Sequence, residues 1–97
     1  MDGYKMHEKI IKAIALRYRE DEDLAPLVLA KGQGRIAEAI LELANQSDIP
    51  TFADPELVKL LEGAEVGEDI PPEAYLLTAE IIAFLWRMED KIKQNKE

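Results

Sequence analysis

The sequence is poor in the residues that build disulfide-linked or metal-bound proteins. Its 97 residues include no cysteine and a single histidine, His7. The absence of cysteine excludes disulfides and thiolate metal sites, and one histidine excludes a multi-histidine metal site. No run approaches the ~20 apolar residues of a membrane-spanning helix, and residues 1–9 contain no signal-peptide hydrophobic region. We therefore expect a cytoplasmic protein without cofactor, metal or direct membrane insertion.

Basic residues are in the minority. Lysine and arginine number 12 against 20 aspartates and glutamates, which gives a net charge of −8. Nucleic acid and anionic lipid both require a cationic surface, so neither is expected to be the main partner. With 47% hydrophobic and 33% charged residues, the composition is that of an ordinary globular domain. A chain of this length has room for one such domain.

Hydrophobic periodicity and turn residues divide the chain into three parts. We predict a mobile N-terminal segment at 1–9, one domain at 10–91 and a frayed charged tail at 92–97. The predicted elements of the domain are a strand at 10–18, a strand beginning after Pro26, a helix from Arg35, a short strand at 49–52, a helix from Pro55 and a long helix from Pro72 to about Lys91.

The order of these elements predicts the fold class. The first strand is apolar on both sides, as in a sheet that is covered on both faces. A strand, a helix and a strand within ~30 residues form a βαβ unit, which connects parallel strands. We therefore expect an α/β domain in which about three helices flank a small sheet of three or four mostly parallel strands.

Few residues suggest chemistry. The turn K-G-Q-G at 31–34 resembles a phosphate-binding loop only loosely, because its lysine precedes the glycines. A small-ligand or nucleotide site at Lys31 and Arg35 is kept as an alternative function. The acidic run at 20–23 lacks the ligand spacing of a calcium loop and predicts a solvated loop. No nucleophile, base and orienting acid come together, so no enzymatic activity is predicted.

The last helix is apolar around most of its circumference. A helix that packs on one side of a sheet needs an apolar stripe of only ~100°. One interpretation is that the helix is wedged between the sheet and another helix. The other is that a strip containing Ala79 and Ile82 stays exposed to receive a partner.

Five strings in order resemble the cytoplasmic C-terminal domain of the FlhB/YscU family, the export-switch proteins of flagellar and type III secretion systems. They are A-I-A-L-R-Y at 13–18, A-P-L-V-L-A-K-G at 25–32, I-P at 49–50 followed by D-P-E-L, E-V-G-E-D-I-P at 65–71 and Y-L-L-T-A-E-I-I-A-F-L-W at 75–86. The resemblance implies a small α/β domain with helices around a sheet. It also implies partners among export-apparatus proteins and export substrates, and a location that includes the periphery of that apparatus.

The resemblance also marks a departure from the family. Members carry an Asn-Pro-Thr-His loop, in which the asparagine side chain cuts the chain before proline. The matching positions here are Glu8, Lys9, Ile10 and Ile11, and a glutamate has no amide to close the ring. We therefore expect no self-cleavage and a free-standing counterpart of the family's C-terminal fragment. A strand that precedes the loop in the family is missing, so the strand at 10–18 is expected to present a free edge.

An apolar surface patch of the family is implicated in recognising exported substrates. By position, the resemblance implies that Ala25, Pro26, Ala79 and Ile82 form this patch here. We expect such a patch, rimmed by acidic groups, to favour amphipathic segments with basic flanks.

Overall fold

The computed structural model describes the backbone of residues 10–94 and the side chains of residues 10–91. Its elements are β1 (Lys12–Arg17), β2 (Leu27–Gln33), α1 (Arg35–Gln46), α2 (Pro55–Leu61) and α3 (Tyr75–Gln94), with a 3-10 turn at Pro72–Ala74 before α3. The predicted segment 1–9 lies outside the described residues. Of the predicted tail at 92–97, residues 92–94 are described only as the backbone end of α3, and residues 95–97 lie outside the described residues.

The sheet differs from the prediction. Within the described residues it has two strands, β1 and β2, which run antiparallel. The prediction of three or four mostly parallel strands is therefore wrong. The connection between the strands explains the direction, because residues 18–26 are too few for the crossover of a dozen or more residues that parallel strands require.

The expected strand at 49–52 is not formed. The chain leaves α1 through Asp48, whose φ of 58° is left-handed, and the N–H of Ile49 donates to the carbonyl of Ala44 at 2.9 Å. Such a cap turns the chain away from the helix. Pro50 then has no N–H to donate to a ladder.

A connector occupies the edge of β2 that we expected another strand to pair with. The N–H of Val28 donates to the carbonyl of Glu68 at 2.8 Å, and the carbonyl of Val28 accepts the N–H of Gly67 at 2.8 Å. The N–H of Ile70 donates to the carbonyl of Pro26 at 2.9 Å. Leu27 and Asp69 form an isolated antiparallel bridge. The segment after α2 therefore covers this edge without forming a strand of its own.

The prediction that β1 is covered on both faces is confirmed. On one face, Ile14 and Leu16 pack against a core that the two strands share with α2, the connector and the base of α3. Its buried members are Val28, Leu57, Leu61, Ala64, Ile70 and Ala74. On the other face, α1 lies over the pair formed by Ala13 and Gly32. Ala37, on the side of α1 that faces the sheet, is completely buried.

Gly32 permits the close approach of α1 to the sheet. A Cβ at this position would lie 2.2 Å from Cγ2 of Ile36, and the β-branched isoleucine has little rotamer freedom in a helix. We expect Gly32→Ala to lower the free energy of unfolding by about 1–3 kcal/mol, measured by urea denaturation. Gly63→Ala is the control, because a Cβ there meets nothing within 4 Å. Equal effects of the two substitutions would contradict the tight packing of α1.

α3 makes the molecule elongated. The molecule measures 52 × 35 × 21 Å along its principal axes. Its radius of gyration is 15.4 Å, whereas a compact domain of this length has a radius of gyration of about 12–13 Å. The first turns of α3 pack on the core through Leu77 and Ile81. From Trp86 to Lys91 every side chain is exposed, so the last turns extend beyond the body of the domain.

Candidate docking surface

One face of α3 carries a line of apolar side chains. Tyr75, Ala79, Ile82 and Trp86 follow one another at intervals of four, three and four residues, which places them on one side of a helix. Ala79 is exposed, Tyr75 and Trp86 are 47% and 45% exposed, and Ile82 is half-buried. We call these four residues the α3 strip. The N-terminal half of α3 is packed on one face and open on another, so the described residues do not show the helix wedged between the sheet and another helix.

The packed face of α3 adjoins the strip. Leu77 and Ile81 contact the core, and Thr78 between them is only 2% exposed. The Thr78 hydroxyl has no hydrogen-bond partner among the described residues. Thr78 is therefore part of the packed face, and the strip begins where this face ends.

The structure separates the four predicted patch residues by exposure. Ala79 is exposed, Pro26 and Ile82 are half-buried, and Ala25 is buried at 6%. The Pro26 carbonyl accepts the N–H of Ile70. Ile70 lies shortly before the 3-10 turn that ends at Ala74 and leads into α3. The segment that contains Ala25 and Pro26 is thus tied to the connector that leads into α3. Ala25 has almost no surface to offer a partner.

The acidic loop before this segment is closed by Asp23. Its carboxylate accepts hydrogen bonds from the guanidinium of Arg17 at 2.9 Å and from the N–H of Arg19 at 2.8 Å. The hydrogen bond from Arg17, followed by that from the Arg19 backbone, lowers the pKa of Asp23 below its ordinary value. The predicted solvated loop is therefore exposed but held in one conformation.

Asp23→Asn is expected to lower the free energy of unfolding at pH 7. Because the pKa of Asp23 is lower in the folded protein, its stabilisation is present above the unfolded value of about 3.9 and is lost as the pH falls through the folded value. Urea unfolding from pH 7 to pH 2 should show the difference between the two proteins shrinking below about pH 4. Asp21→Asn, in the same loop, is the control at pH 7. A difference that stays constant over this range would exclude the Asp23 carboxylate as its source.

Sequence reasoning missed Leu24, which follows Asp23. Its relative exposure is 102%, the largest among the big apolar side chains whose exposure is described. A leucine before Ala-Pro reads as the start of an apolar run, and no local signal distinguishes it from its buried neighbour Ala25.

Lys31 lies in a different environment from the one that the alternative function requires. It is part of β2, and its ammonium donates to the carbonyls of Ala64 and Glu62 at 2.7 and 3.3 Å, just after the end of α2. It thereby satisfies carbonyl groups that follow the helix. Arg35 is exposed at the start of α1. The observed contacts of Lys31 are those of a helix-capping lysine and do not favour an anion site.

A cleft beside Lys31 is small. It has a volume of about 170 Å³, below the roughly 300–1,000 Å³ of typical ligand pockets, and Lys12, Ile14 and Val58 line it. At its rim Lys12 pairs with Glu62, and the hydrogen bond from Lys12 lowers the pKa of Glu62. The cleft supports no nucleotide-sized ligand.

Of the four positions that match the cleavage loop, Glu8 and Lys9 lie outside the described residues. Ile10 and Ile11 precede β1 and are 66% and 43% exposed. The Ile11 carbonyl accepts the N–H of Gly34 at 2.8 Å, so the pairing with β2 begins here.

β1 has an outer edge without a partner strand in the part of the chain that the structure describes. The hydrogen bond between Gly34 and Ile11 fixes which residues face β2. Because paired and unpaired positions alternate in an antiparallel ladder, the N–H and C=O groups of Lys12 and Ile14 point away from β2. The expectation of a free edge on this strand agrees with this geometry.

The described residues also limit other functions. No helix between residues 10 and 94 is both long and apolar enough to cross a membrane. Nor do these residues bring together three or more histidines or carboxylates in a group that fits a metal ion.

Comparison with known proteins gives a consistent result. The model of the FlhB HrpN YscU SpaS family matches residues 11–85. The flagellar biosynthetic protein FlhB of Aquifex aeolicus is 46% identical over 81 residues, which are 82% of this chain and 23% of that protein. The uncharacterised protein YlqH of Bacillus subtilis is 36% identical over 92 residues, which are 95% of this chain and 99% of YlqH. The chain thus spans about a quarter of that FlhB but nearly all of YlqH.

Two solved structures share the fold. The C-terminal domain of PscU superposes with a TM-score of 0.72 at 32% identity and covers 76% of this chain and 95% of its own. A mutated C-terminal domain of EscU gives a TM-score of 0.73 at 30% identity, with 78% and 93% covered.

Proposed function

The chain belongs to the FlhB HrpN YscU SpaS family, and on that premise we propose that it is a non-enzymatic interaction module of flagellar or type III protein export. The observation that carries the proposal is the α3 strip, which leaves Tyr75 and Trp86 about half exposed on a helix whose other face is packed. Apolar surface left open beside a core is typical of protein interaction sites.

The docking surface consists of the α3 strip together with Pro26. Ala25, another residue of the implied patch, is buried and does not contact the partner. Its burial holds the backbone of the neighbouring Pro26 in place. Exported substrates or their targeting segments are the proposed occupants. Glu89 and Asp90 follow the strip between Arg87 and Lys91, so the charges there balance, and a segment with basic flanks is favoured by the chain's net charge of −8.

The proposed mechanism includes no self-cleavage. A glutamate at position 8 offers a carboxylate where the family reaction requires an amide nitrogen. The intact mass of 11.0 kDa is therefore expected to persist during incubation of the purified protein, as measured by mass spectrometry. A fragment ending near Lys9 would contradict this part of the proposal.

The free edge of β1 suggests how the module reaches the membrane. The outward backbone groups of Lys12 and Ile14 can accept an added strand from another chain. We propose a membrane-anchored export component as the source of that strand, and the inner face of the cell membrane as the site of action.

A pull-down tests the proposed function. The purified protein is immobilised and incubated with detergent-solubilised membranes of a flagellated bacterium that encodes it, and bound proteins are identified by mass spectrometry. We expect enrichment of a protein of the FlhB family or of another export-gate component. Recovery of none of them would count against the proposal.

A further inference from the structure

Leu24 is a large apolar side chain held entirely in water. Its relative exposure of 102% exceeds that of Leu76, the next most exposed, at 73%. Isolated exposed leucines are common on protein surfaces, so exposure alone carries no conclusion. The loop around Leu24 supplies the further observations.

The chain is fastened on both sides of Leu24. Before it, the carbonyl of Arg19 accepts the N–H groups of Glu22 and Asp23 at 3.0 and 2.8 Å, and the Asp23 carboxylate binds Arg17. After it, Ala25 is buried at 6%, and Pro26 is tied to Ile70. Because the residues before and after Leu24 are held by these contacts, its exposure does not result from a flexible loop. Its position is determined by the fold.

The surroundings of Leu24 are acidic. Glu20 and Asp21 are exposed and form no ion pair within the described residues, whereas Glu22 pairs with Arg19 at 2.7 Å. The loop therefore combines one protruding apolar group with two exposed carboxylates. The net charge of the whole chain, −8, has the same sign as these carboxylates.

We propose that Leu24 is an anchor that inserts into the apolar face of an amphipathic helical segment flanked by lysine or arginine. The inference rests on the proposed function and names a contact residue and a partner class on the loop that leads into Pro26, which belongs to the docking surface. A single protruding leucine fits the hole between four side chains of a facing helix. Basic flanks complement Glu20 and Asp21. A second copy of this chain is disfavoured as the occupant, because it brings the same carboxylates and the same net negative charge.

Two synthetic peptides provide the probes. Both are fluorescein-labelled, with leucines at helical spacing, and they differ only in having lysine or glutamate at the polar positions. Fluorescence anisotropy at low salt is expected to show binding of the lysine peptide and not of the glutamate peptide. Leu24→Ser should weaken binding of the lysine peptide at least ~10-fold, because burial of a leucine side chain is worth more than one factor of ten in affinity.

The matched control is Leu43→Ser. Leu43 is 63% exposed on α1 and is remote in sequence from the acidic loop, so its replacement is expected to leave peptide binding unchanged. Leu24→Met should retain most of the affinity, because it keeps an apolar side chain of similar size. Leu24→Ser is expected to unfold at the same urea concentration as the wild type, since a fully exposed side chain contributes no packing.

The outcomes separate this inference from the proposed function. Unchanged binding by Leu24→Ser, or no binding of the lysine peptide to the wild type, overturns the role of Leu24, while recovery of an export component in the pull-down still supports the module. Conversely, a loss of binding in Leu24→Ser with an empty pull-down upholds the anchor and overturns the assignment to export.

Discussion

Ile70→Ala is expected to lower the free energy of unfolding by about 2–5 kcal/mol, the cost of deleting most of a large side chain from a packed core. Ile70 is 2% exposed and packs with Val28, Leu57 and Ala74. A domain of this length has a total stability of about 5–15 kcal/mol, so this one change removes a large share of it.

Ile70 also lies next to a residue of the docking surface. Its N–H donates to the carbonyl of Pro26, so the residue joins the connector to the segment before β2. Urea denaturation followed by circular dichroism measures the change as a lower midpoint at an unchanged slope. Val66→Ala is the control, because Val66 lies in the same connector and is 56% exposed. A loss below about 1 kcal/mol for Ile70→Ala would show that the core does not close around this side chain.

Ala79→Asp is expected to abolish docking and leave the domain folded. Ala79 is exposed in the middle of the α3 strip, so an aspartate there places a charge in the path of an apolar partner without burying it in the core. The helix itself loses only about 0.5–0.7 kcal/mol of intrinsic propensity. We expect recovery of exported substrates from a lysate of the same bacterium to fall at least ~10-fold, since desolvating an unpaired carboxylate costs more than one factor of ten in affinity.

Ala39→Asp is the matched control for this prediction. It introduces the same charge at an exposed alanine within a helix, but on α1. If both variants weaken binding equally, the effect is one of overall charge and the α3 strip is not the docking surface. Ile82→Asp is a less direct test, because Ile82 is half-buried and its replacement affects folding as well as binding.

Local sequence signals located most helices and strands. Asp54 and Pro55 predicted the start of α2, and the Asp54 carboxylate accepts the N–H of Leu57 at 3.1 Å. The helical spacing after Gly34 predicted α1, and the run of apolar residues with Ala13 and Leu16 predicted β1. Capping and helical spacing involve residues at most four positions apart. Such interactions can therefore be recognised from a short stretch of sequence.

The pairing of the strands required information from distant parts of the chain. Ile49 to Phe52 has the composition of a strand, but the edge of β2 is occupied by residues 67–70. An apolar run of four residues does not indicate which edge is free, because that depends on the competing segment. The parallel sheet was predicted by treating the run as a strand, and the prediction failed with it.

The candidate site shows the same division. The sequence by itself determined which residues are apolar, where α3 lies and which family the chain resembles, because composition and short-range spacing contain that information. Only the tertiary structure decided that Ala25 is buried and Leu24 exposed, and that Lys31 caps α2. The contacts of Lys31 are with residues more than thirty positions away, and other segments bury Ala25 while leaving its neighbour Leu24 in solvent; no local pattern encodes such differences.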